Sequence, residues 1–78
     1  MNEPSVSSSL SELLGRHRLS QTALARASGL QPGTIGALYH DRTDSISMVT
    51  LAKVLRGLRE LTGQPYTAAD ILKYHPEG

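Results

Sequence analysis

Residues 20–40 read SQTALARASGLQPGTIGALYH, and this stretch decides the fold. Ser20 is favoured at the start of a helix, because its side chain can accept a hydrogen bond from a free backbone N–H of the first turn. Gly29 suits the end of that helix, where the backbone often adopts a positive φ that other residues resist. Pro32 suits the first position of a second helix, where an N–H would have no partner anyway. The stretch therefore predicts two short helices joined by a tight turn.

Small and apolar residues within the stretch have the spacing that such a pair needs in order to pack. Ala25 is small enough for the second helix to cross close over the first. Leu24 and Leu30 lie on either side of the turn, and Ile35 and Leu38, three residues apart, form the inward face of the second helix. This combination is typical of a helix-turn-helix motif. The alternative is an ordinary helical hairpin inside an unrelated bundle.

The residues before the pair predict a tail and one helix. Residues 1–8 are polar and rich in serine, and we expect them to form a mobile N-terminal tail. The first helix starts at Ser9, because Ser9 and Glu12 have the spacing of a capping box. It ends near a half-buried His17, and Arg18 then occupies the left-handed position that glycine usually takes.

The residues after the pair predict two further helices. Ser45 or Ser47 caps the longest helix, whose broad apolar face closes over the pair, and Gly63 ends it. A second capping-box spacing begins the fifth helix at Thr67. No stretch alternates apolar and polar residues in the manner of a β-strand. The sequence thus predicts an all-α fold, a compact bundle of five helices in one domain over residues 9–76.

Composition excludes several classes of protein. The 78 residues contain no cysteine and only three scattered histidines, so neither disulfides nor a structural metal can reinforce so small a core. No apolar run has the length of a membrane span and the first residues do not resemble a signal peptide, so we expect a soluble cytoplasmic protein. No catalytic motif or phosphate-binding loop is recognisable, so we expect neither an enzyme nor a cofactor. A homo-oligomer remains as a source of additional stability.

Positive charge is concentrated in the predicted helix pair and just before it. The formal net charge of the whole chain is only +1. Between Leu13 and His40, however, there are three arginines (Arg16, Arg18 and Arg26) and no acidic residue. This distribution is expected if the pair meets phosphate groups. Ordinary solvated charge is the alternative.

Several short segments match one known family. They are LSQTALA at 19–25, Gly29-Leu30, Thr34-Ile35, Leu38-Tyr39, Leu51, and DILKY at 70–74 followed by Pro76. On these segments, from about residue 10 to residue 76, the chain resembles the XRE-like helix-turn-helix transcriptional regulators of the Cro and lambda-repressor type. Its C-terminal segment is similar to that of the short single-domain members. The resemblance implies a five-helix domain that binds double-stranded DNA as a homodimer on a palindromic operator and acts as a repressor, with no small-molecule ligand.

The resemblance also implies which residues contact DNA. Gln21 matches the glutamine that members set against the phosphate backbone and an outer base. The N-terminal end and outer face of the third helix would enter the major groove, and Arg42 in the following loop would contact phosphate. Because proline, glycine and alanine at three of these positions carry no side-chain donor, groove shape would supply much of the specificity. The candidate residues are Gln21, Gln31, Pro32, Gly33, Thr34, Ala37, His40 and Arg42.

Two alternatives stay open on the sequence alone. Asp41 and Asp44 flank Arg42, so an ion pair within the chain competes with a phosphate contact. The small number of donors on the third helix also fits a protein-interaction module, such as an antitoxin-like or adaptor domain that kept the fold without specific DNA binding. For the dimer, we expect contact through the fifth helix and the residues before it. The candidates for this contact are Tyr66, Ile71, Leu72 and Tyr74.

Overall fold

The structure is a computed structural model that describes residues 4–43 and 45–76. Residues 1–3 of the predicted tail and Asp44 beside Arg42 lie outside this description. No helix among the described residues has both the length and the apolar character needed to cross a membrane. In chain order the elements are β1 (Ser5–Ser8), α1 (Leu10–His17), α2 (Gln21–Ser28), α3 (Pro32–Tyr39), α4 (Met48–Thr62), α5 (Ala68–Ile71) and β2 (Leu72–His75).

Three of the predicted helix starts are confirmed by their hydrogen bonds. The hydroxyl of Ser20 accepts a bond from the N–H of Ala23 at 3.0 Å, and the hydroxyl of Ser47 caps α4 in the same way, also at 3.0 Å. At the start of α5, the N–H of Thr67 donates to the carboxylate of Asp70 at 2.7 Å. These caps are local in sequence, which is why spacing alone predicts them.

The predicted ends of α1 and α4 are also confirmed. Gly63 follows α4 with a φ of 72°, and Arg18 follows α1 with a φ of 54°. Both values lie in the left-handed region, which satisfies the last carbonyls of a helix. For arginine this conformation is unfavourable by about 1 kcal/mol, so the rest of the structure has to hold it in place.

The all-α prediction is corrected by a two-stranded ribbon. β1 pairs antiparallel with β2, with Val6 opposite Tyr74. Ser5–Ser8 therefore forms a strand where a mobile tail was expected. The fifth helix is a single turn of four residues, and the chain after it is the partner strand, Leu72–His75. Each strand is short and mostly exposed, so its sequence does not show the alternation of apolar and polar residues that predicts a strand.

Ser9 connects the two ends of the described chain. Its N–H donates to the carbonyl of Ile71 at 2.6 Å, and its hydroxyl lies within hydrogen-bond distance of the carbonyls of Asp70 (2.9 Å) and Ile71 (3.0 Å). The predicted capping box between Ser9 and Glu12 is wrong, since the Ser9 side chain makes no bond to the first turn of α1. Glu12 instead pairs with Lys73 of β2 at 3.4 Å.

The core lies between the first four helices and is closed by α5. α4 makes its most extensive contact with α2. Partly buried apolar side chains, among them Leu19 and Leu30, pack around this core. The fully or almost fully buried apolar residues are Leu10, Leu13, Leu14, Leu24, Ala25, Ile35, Leu38, Val54, Leu58 and Ile71.

α4 passes close to α2 at Gly57. A Cβ atom on Gly57 would lie 3.0 Å from the backbone nitrogen of Ser28 and 3.1 Å from Cδ1 of Leu24. Most real Cβ contacts are longer than this, so a side chain here would require the backbone of α2 at Ser28 to shift slightly. The small residue on α2, Ala25, was predicted to allow close packing, whereas the glycine that faces α2 from α4 was not.

His17 and Tyr66 form a contact between the end of α1 and the segment before α5. His17 is half-buried, as predicted, and its Nε2 lies 2.6 Å from the hydroxyl of Tyr66. The two rings pack edge to face with their centroids 5.7 Å apart. This contact joins the end of α1 to the connection between α4 and α5.

The residues expected at the dimer contact differ in how accessible they are to a second chain. Ile71 is fully buried in the core, so the prediction that it contacts a second chain is wrong. Tyr66 and Leu72 are partly buried against the core. Tyr74 is 68% exposed on β2, which leaves its side chain accessible to another molecule.

Replacing Gly57 with alanine should destabilise the protein, because the new methyl group overpacks the contact between α4 and α2 at a cost of about 1–3 kcal/mol. Alanine normally gains about 1 kcal/mol over glycine inside a helix, so the net loss should be up to about 2 kcal/mol. Urea denaturation followed by circular dichroism measures the difference. Gly15→Ala in α1 is the matched control, since a Cβ at Gly15 meets nothing within 4 Å and should stabilise. A Gly57→Ala variant as stable as the wild type would contradict the proposed close packing.

Candidate nucleic-acid interface

The turn between α2 and α3 is held by bonds from its own backbone and from α4. Gly29 has a φ of 71°, which allows the N–H of Leu30 to donate to the carbonyl of Ala25 at 3.1 Å. Nη2 of Arg56 on α4 donates to the carbonyl of Ser28 at 3.1 Å. A cation at a helix C-terminus is also favoured by the helix dipole. The role of Arg56 was not predicted, because it depends on how α4 packs against α2.

α3 has one buried face and one exposed face. Ile35 and Leu38 are the buried residues that fix the helix against the core. The helix begins at Pro32, as predicted, after an extended Gln31 whose side chain makes no capping bond. Pro32 has no N–H, and the N–H of Thr34 donates to the carbonyl of Gln31 at 3.0 Å, so among the described residues Gly33 keeps the N–H of this first turn without an acceptor. The exposed candidate residues at this end are Gln31, Pro32, Gly33 and Thr34.

Three candidate residues share one groove. Gly33, Thr34 and Ala37 line one wall of an open groove of about 390 Å³, and the loop before α4 with the first turn of α4 forms the other wall. This second wall was not predicted from the sequence. A signal was available in the run of hydroxyl residues between the motif and the longest helix. The hydroxyl residues of the second wall are Thr43, Ser45, Ser47 and Thr50.

Gln21 lies beside α3 and is not part of the groove lining. It is the first residue of α2 and is partly buried. Its Oε1 lies 3.4 Å from the point that a Cβ on Gly36 would occupy, so the amide packs over the backbone of α3. The hydrogen bonds among the described residues include none to the Gln21 side chain. Both polar groups of the amide are therefore available to a ligand.

His40 and Arg42 lie at the C-terminal end of α3. His40 is exposed, and its ring packs edge to face against Tyr39 with the centroids 4.9 Å apart. The N–H of Arg42 donates to the carbonyl of Ala37 at 2.8 Å, which fixes its backbone, while its side chain is exposed. Neither residue lines the groove, so these two candidates extend the surface beyond it.

The carboxylate of Asp41 has a partner other than Arg42. Asp41 adopts a positive φ of 56°, and its Oδ1 accepts a bond from the N–H of Ser8 at 3.0 Å. Within the described part of the chain, no ion pair joins Asp41 to Arg42. The possible partner Asp44 lies outside the described residues. Asp41 thus ties the end of α3 to β1.

The arginines of the positive region are exposed at the surface. Arg16, Arg18 and Arg26 all have exposed side chains. Among residues 4–43 and 45–76, the one ion pair within 4.0 Å joins Lys73 to Glu12. The three arginines therefore have no carboxylate partner within this distance in the described structure, and their charge contributes to the potential around α2 and α3.

Comparison with known proteins identifies the family. The chain matches the Cro/C1-type HTH DNA-binding domain over residues 9–77, which is most of its length. The comparisons with curated proteins and with solved structures returned no significant match. The family match confirms the resemblance inferred from the short segments of the sequence. Together with a helical fold in which α3 turns one face outward, it shows that the chain belongs to the family of Cro/C1-type helix-turn-helix DNA-binding domains.

Proposed function

We propose that the protein is a transcriptional repressor that binds a palindromic operator as a dimer, with α3 in the major groove. Family membership identifies it as a DNA-binding domain of the kind that regulates transcription. The observation that supports α3 as the reading helix is its two-sided character. Ile35 and Leu38 hold one face rigidly in the core, while the other face is exposed beside a groove.

In this proposal α2 and α3 are the two helices of the helix-turn-helix motif. An α-helix with its side chains is about 10–12 Å in diameter, and the major groove of B-DNA, about 12 Å wide, can admit it. Gly33 is exposed and a Cβ on it would meet nothing within 4 Å, so this end of α3 can come close to DNA. The N–H of Gly33, which has no acceptor among the described residues, can then bind a phosphate at the start of the helix.

The exposed candidates divide into residues that position the protein and residues that read bases. Arg42 is suited to phosphate contact, since its guanidinium is exposed. The amide of Gln21 and the hydroxyl of Thr34 can bond to base edges, and the methyl of Ala37 can contact a thymine methyl. Few other donors are available on α3, so the shape of the groove should contribute strongly to specificity. Gln31 and His40 complete the set of possible base contacts.

The dimer in this proposal uses the exposed face of the ribbon. Tyr74 and Val6 lie opposite each other across the two strands and are 68% and 59% exposed. Adjacent exposed apolar side chains of this size are favourable sites for contact with another chain. In the proposed dimer the two α3 helices lie in successive major grooves on one face of the DNA, about 34 Å apart.

Selection of bound duplexes from a random pool should yield a palindrome, and the Gln21→Ala, Thr34→Ala double variant should bind it at least tenfold more weakly. The reason is that each good base contact contributes about 1–3 kcal/mol of discrimination. Fluorescence anisotropy gives the dissociation constants. Gln64→Ala, which removes an exposed glutamine from the segment between α4 and α5, is the control and should bind normally. Unchanged binding by the double variant would mean that another face contacts DNA.

Affinity for the selected duplex should fall about a thousandfold between ~50 and ~200 mM salt, if the dimer neutralises six or more phosphates. Replacing Arg42 with alanine should weaken binding to all sequences alike and lower the salt slope by about 1 per protomer. A series of anisotropy titrations at increasing salt gives both slopes. A flat salt dependence would contradict phosphate binding and favour the protein-interaction module instead.

Tyr74→Glu should dissociate the dimer, because a charge on the ribbon face would have to be buried in the contact. Sedimentation velocity should show a dimer for the wild type and a monomer for Tyr74→Glu. The variant should also bind DNA more weakly, because it has lost the dimer. Val49→Glu is the control for the sedimentation experiment, since Val49 is exposed to a similar extent, 66%, but lies on α4 and not on the ribbon. A dimeric Tyr74→Glu variant would place the contact elsewhere, and a monomeric wild type bound to DNA would contradict the dimer.

A further inference from the structure

The two glycines on α3 differ in what surrounds them. A Cβ on Gly33 would meet nothing within 4 Å, whereas a Cβ on Gly36 would lie 3.4 Å from Oε1 of Gln21. Glycine inside a helix is unfavourable by about 1 kcal/mol relative to alanine. At Gly36 the absence of a side chain leaves room beside α3 for the amide of Gln21.

The Gln21 side chain is held by packing. It is partly buried on the first turn of α2, and the hydrogen bonds among the described residues do not include its amide. A side chain without such bonds takes its position from the atoms that it touches. The backbone of α3 at Gly36 is one such surface.

The distance at Gly36 sets a narrow size limit. A separation of 3.4 Å is ordinary van der Waals contact, so the methyl group of alanine would fit without moving the amide. A β-branched residue places two further heavy atoms on Cβ, and in a helix it has one strongly preferred rotamer. Valine at this position would therefore extend into the space that the Gln21 amide occupies.

We propose that Gly36 is a positioning residue for Gln21, and that the size of the side chain at this position determines which base pair preference the Gln21 amide confers. This inference rests on the proposed function. An amide that bonds to adenine uses its oxygen as acceptor and its NH₂ as donor at the same time, so both atoms must be aligned with the base edge. A displaced amide keeps its chemistry but loses that alignment. Gly36 thus acts on specificity without touching the base itself.

The test compares Gly36→Ala with Gly36→Val on a duplex that the wild type selects from a random pool. Gly36→Ala should bind within about twofold of the wild type. Gly36→Val should bind the duplex about tenfold more weakly, which is in the lower range for the loss of one good base contact. It should also lose its preference at the same base pair at which Gln21→Ala loses its preference. In a Gln21→Ala background, valine and glycine at position 36 should bind alike within about twofold. Gly15→Val is the control for the effect of valine in a helix, since a Cβ at Gly15, unlike one at Gly36, meets nothing within 4 Å.

A measurement without DNA checks the same contact. The side-chain NH₂ resonances of Gln21, assigned by their loss in Gln21→Ala, should move in Gly36→Val and stay nearly unchanged in Gly36→Ala. Circular dichroism confirms that each variant is folded. If valine lowers the helix content, Gly36→Ser, which adds a single γ oxygen, takes its place in the comparison and should move the amide resonances less.

The outcomes separate this inference from the function on which it rests. A wild type that selects no duplex overturns both. Selected binding with the same loss on valine substitution in the wild-type and Gln21→Ala backgrounds overturns the inference alone, because position 36 would then meet the DNA directly. Unmoved Gln21 resonances in a folded Gly36→Val variant also overturn it.

Discussion

The orientation of α3 depends on how closely α4 packs against α2. Gly57 allows α4 to approach α2 so closely that even a Cβ atom at this position would be in tight contact with Ser28 and Leu24. From this position Arg56 reaches the last carbonyl of α2, and the turn at Gly29 begins immediately after it. Because this turn leads directly into α3, whose Ile35 and Leu38 pack in the same core, the position of α4 against α2 contributes to the angle of α3. A displacement at Gly57 would thus reach the outer face of α3 without changing any residue on that face.

The parts of the fold that could be predicted are those determined by neighbouring residues. The caps at Ser20 and Ser47 and the left-handed residue Gly29 depend on contacts within a few positions, and spacing in the sequence reveals them. The ribbon could not be predicted, because each of its strands is stabilised by a partner at the other end of the chain. The same reason explains the error at Ser9. Its spacing suits a cap for α1, but a distant pair of carbonyls binds its hydroxyl instead.

The candidate interface was predictable to a similar extent. The register of Ile35 and Leu38 indicates which face of α3 is buried, and the remaining positions follow from helix geometry and the family resemblance. The wall of hydroxyl groups opposite Thr34 could not be deduced, since it depends on the path of the loop before α4. The contact between Gln21 and Gly36 was equally hidden, because the sequence shows that Gly36 is small but not what occupies the space beside it.

The ribbon also closes the described chain into a ring. Ser5 and His75 are partners across the two strands, so nearly all of the fold lies within one loop that only noncovalent contacts hold shut. Closing such a loop has an entropy cost that rises only slowly with its length. A covalent bridge across the ribbon would keep this loop closed in the unfolded chain as well and so lower the entropy of the unfolded state. In the chain-entropy treatment of cross-links, this would stabilise the domain by about 4 kcal/mol. The domain could in this way be made heat-resistant through its two terminal strands, with the sequence of α2 and α3 left intact.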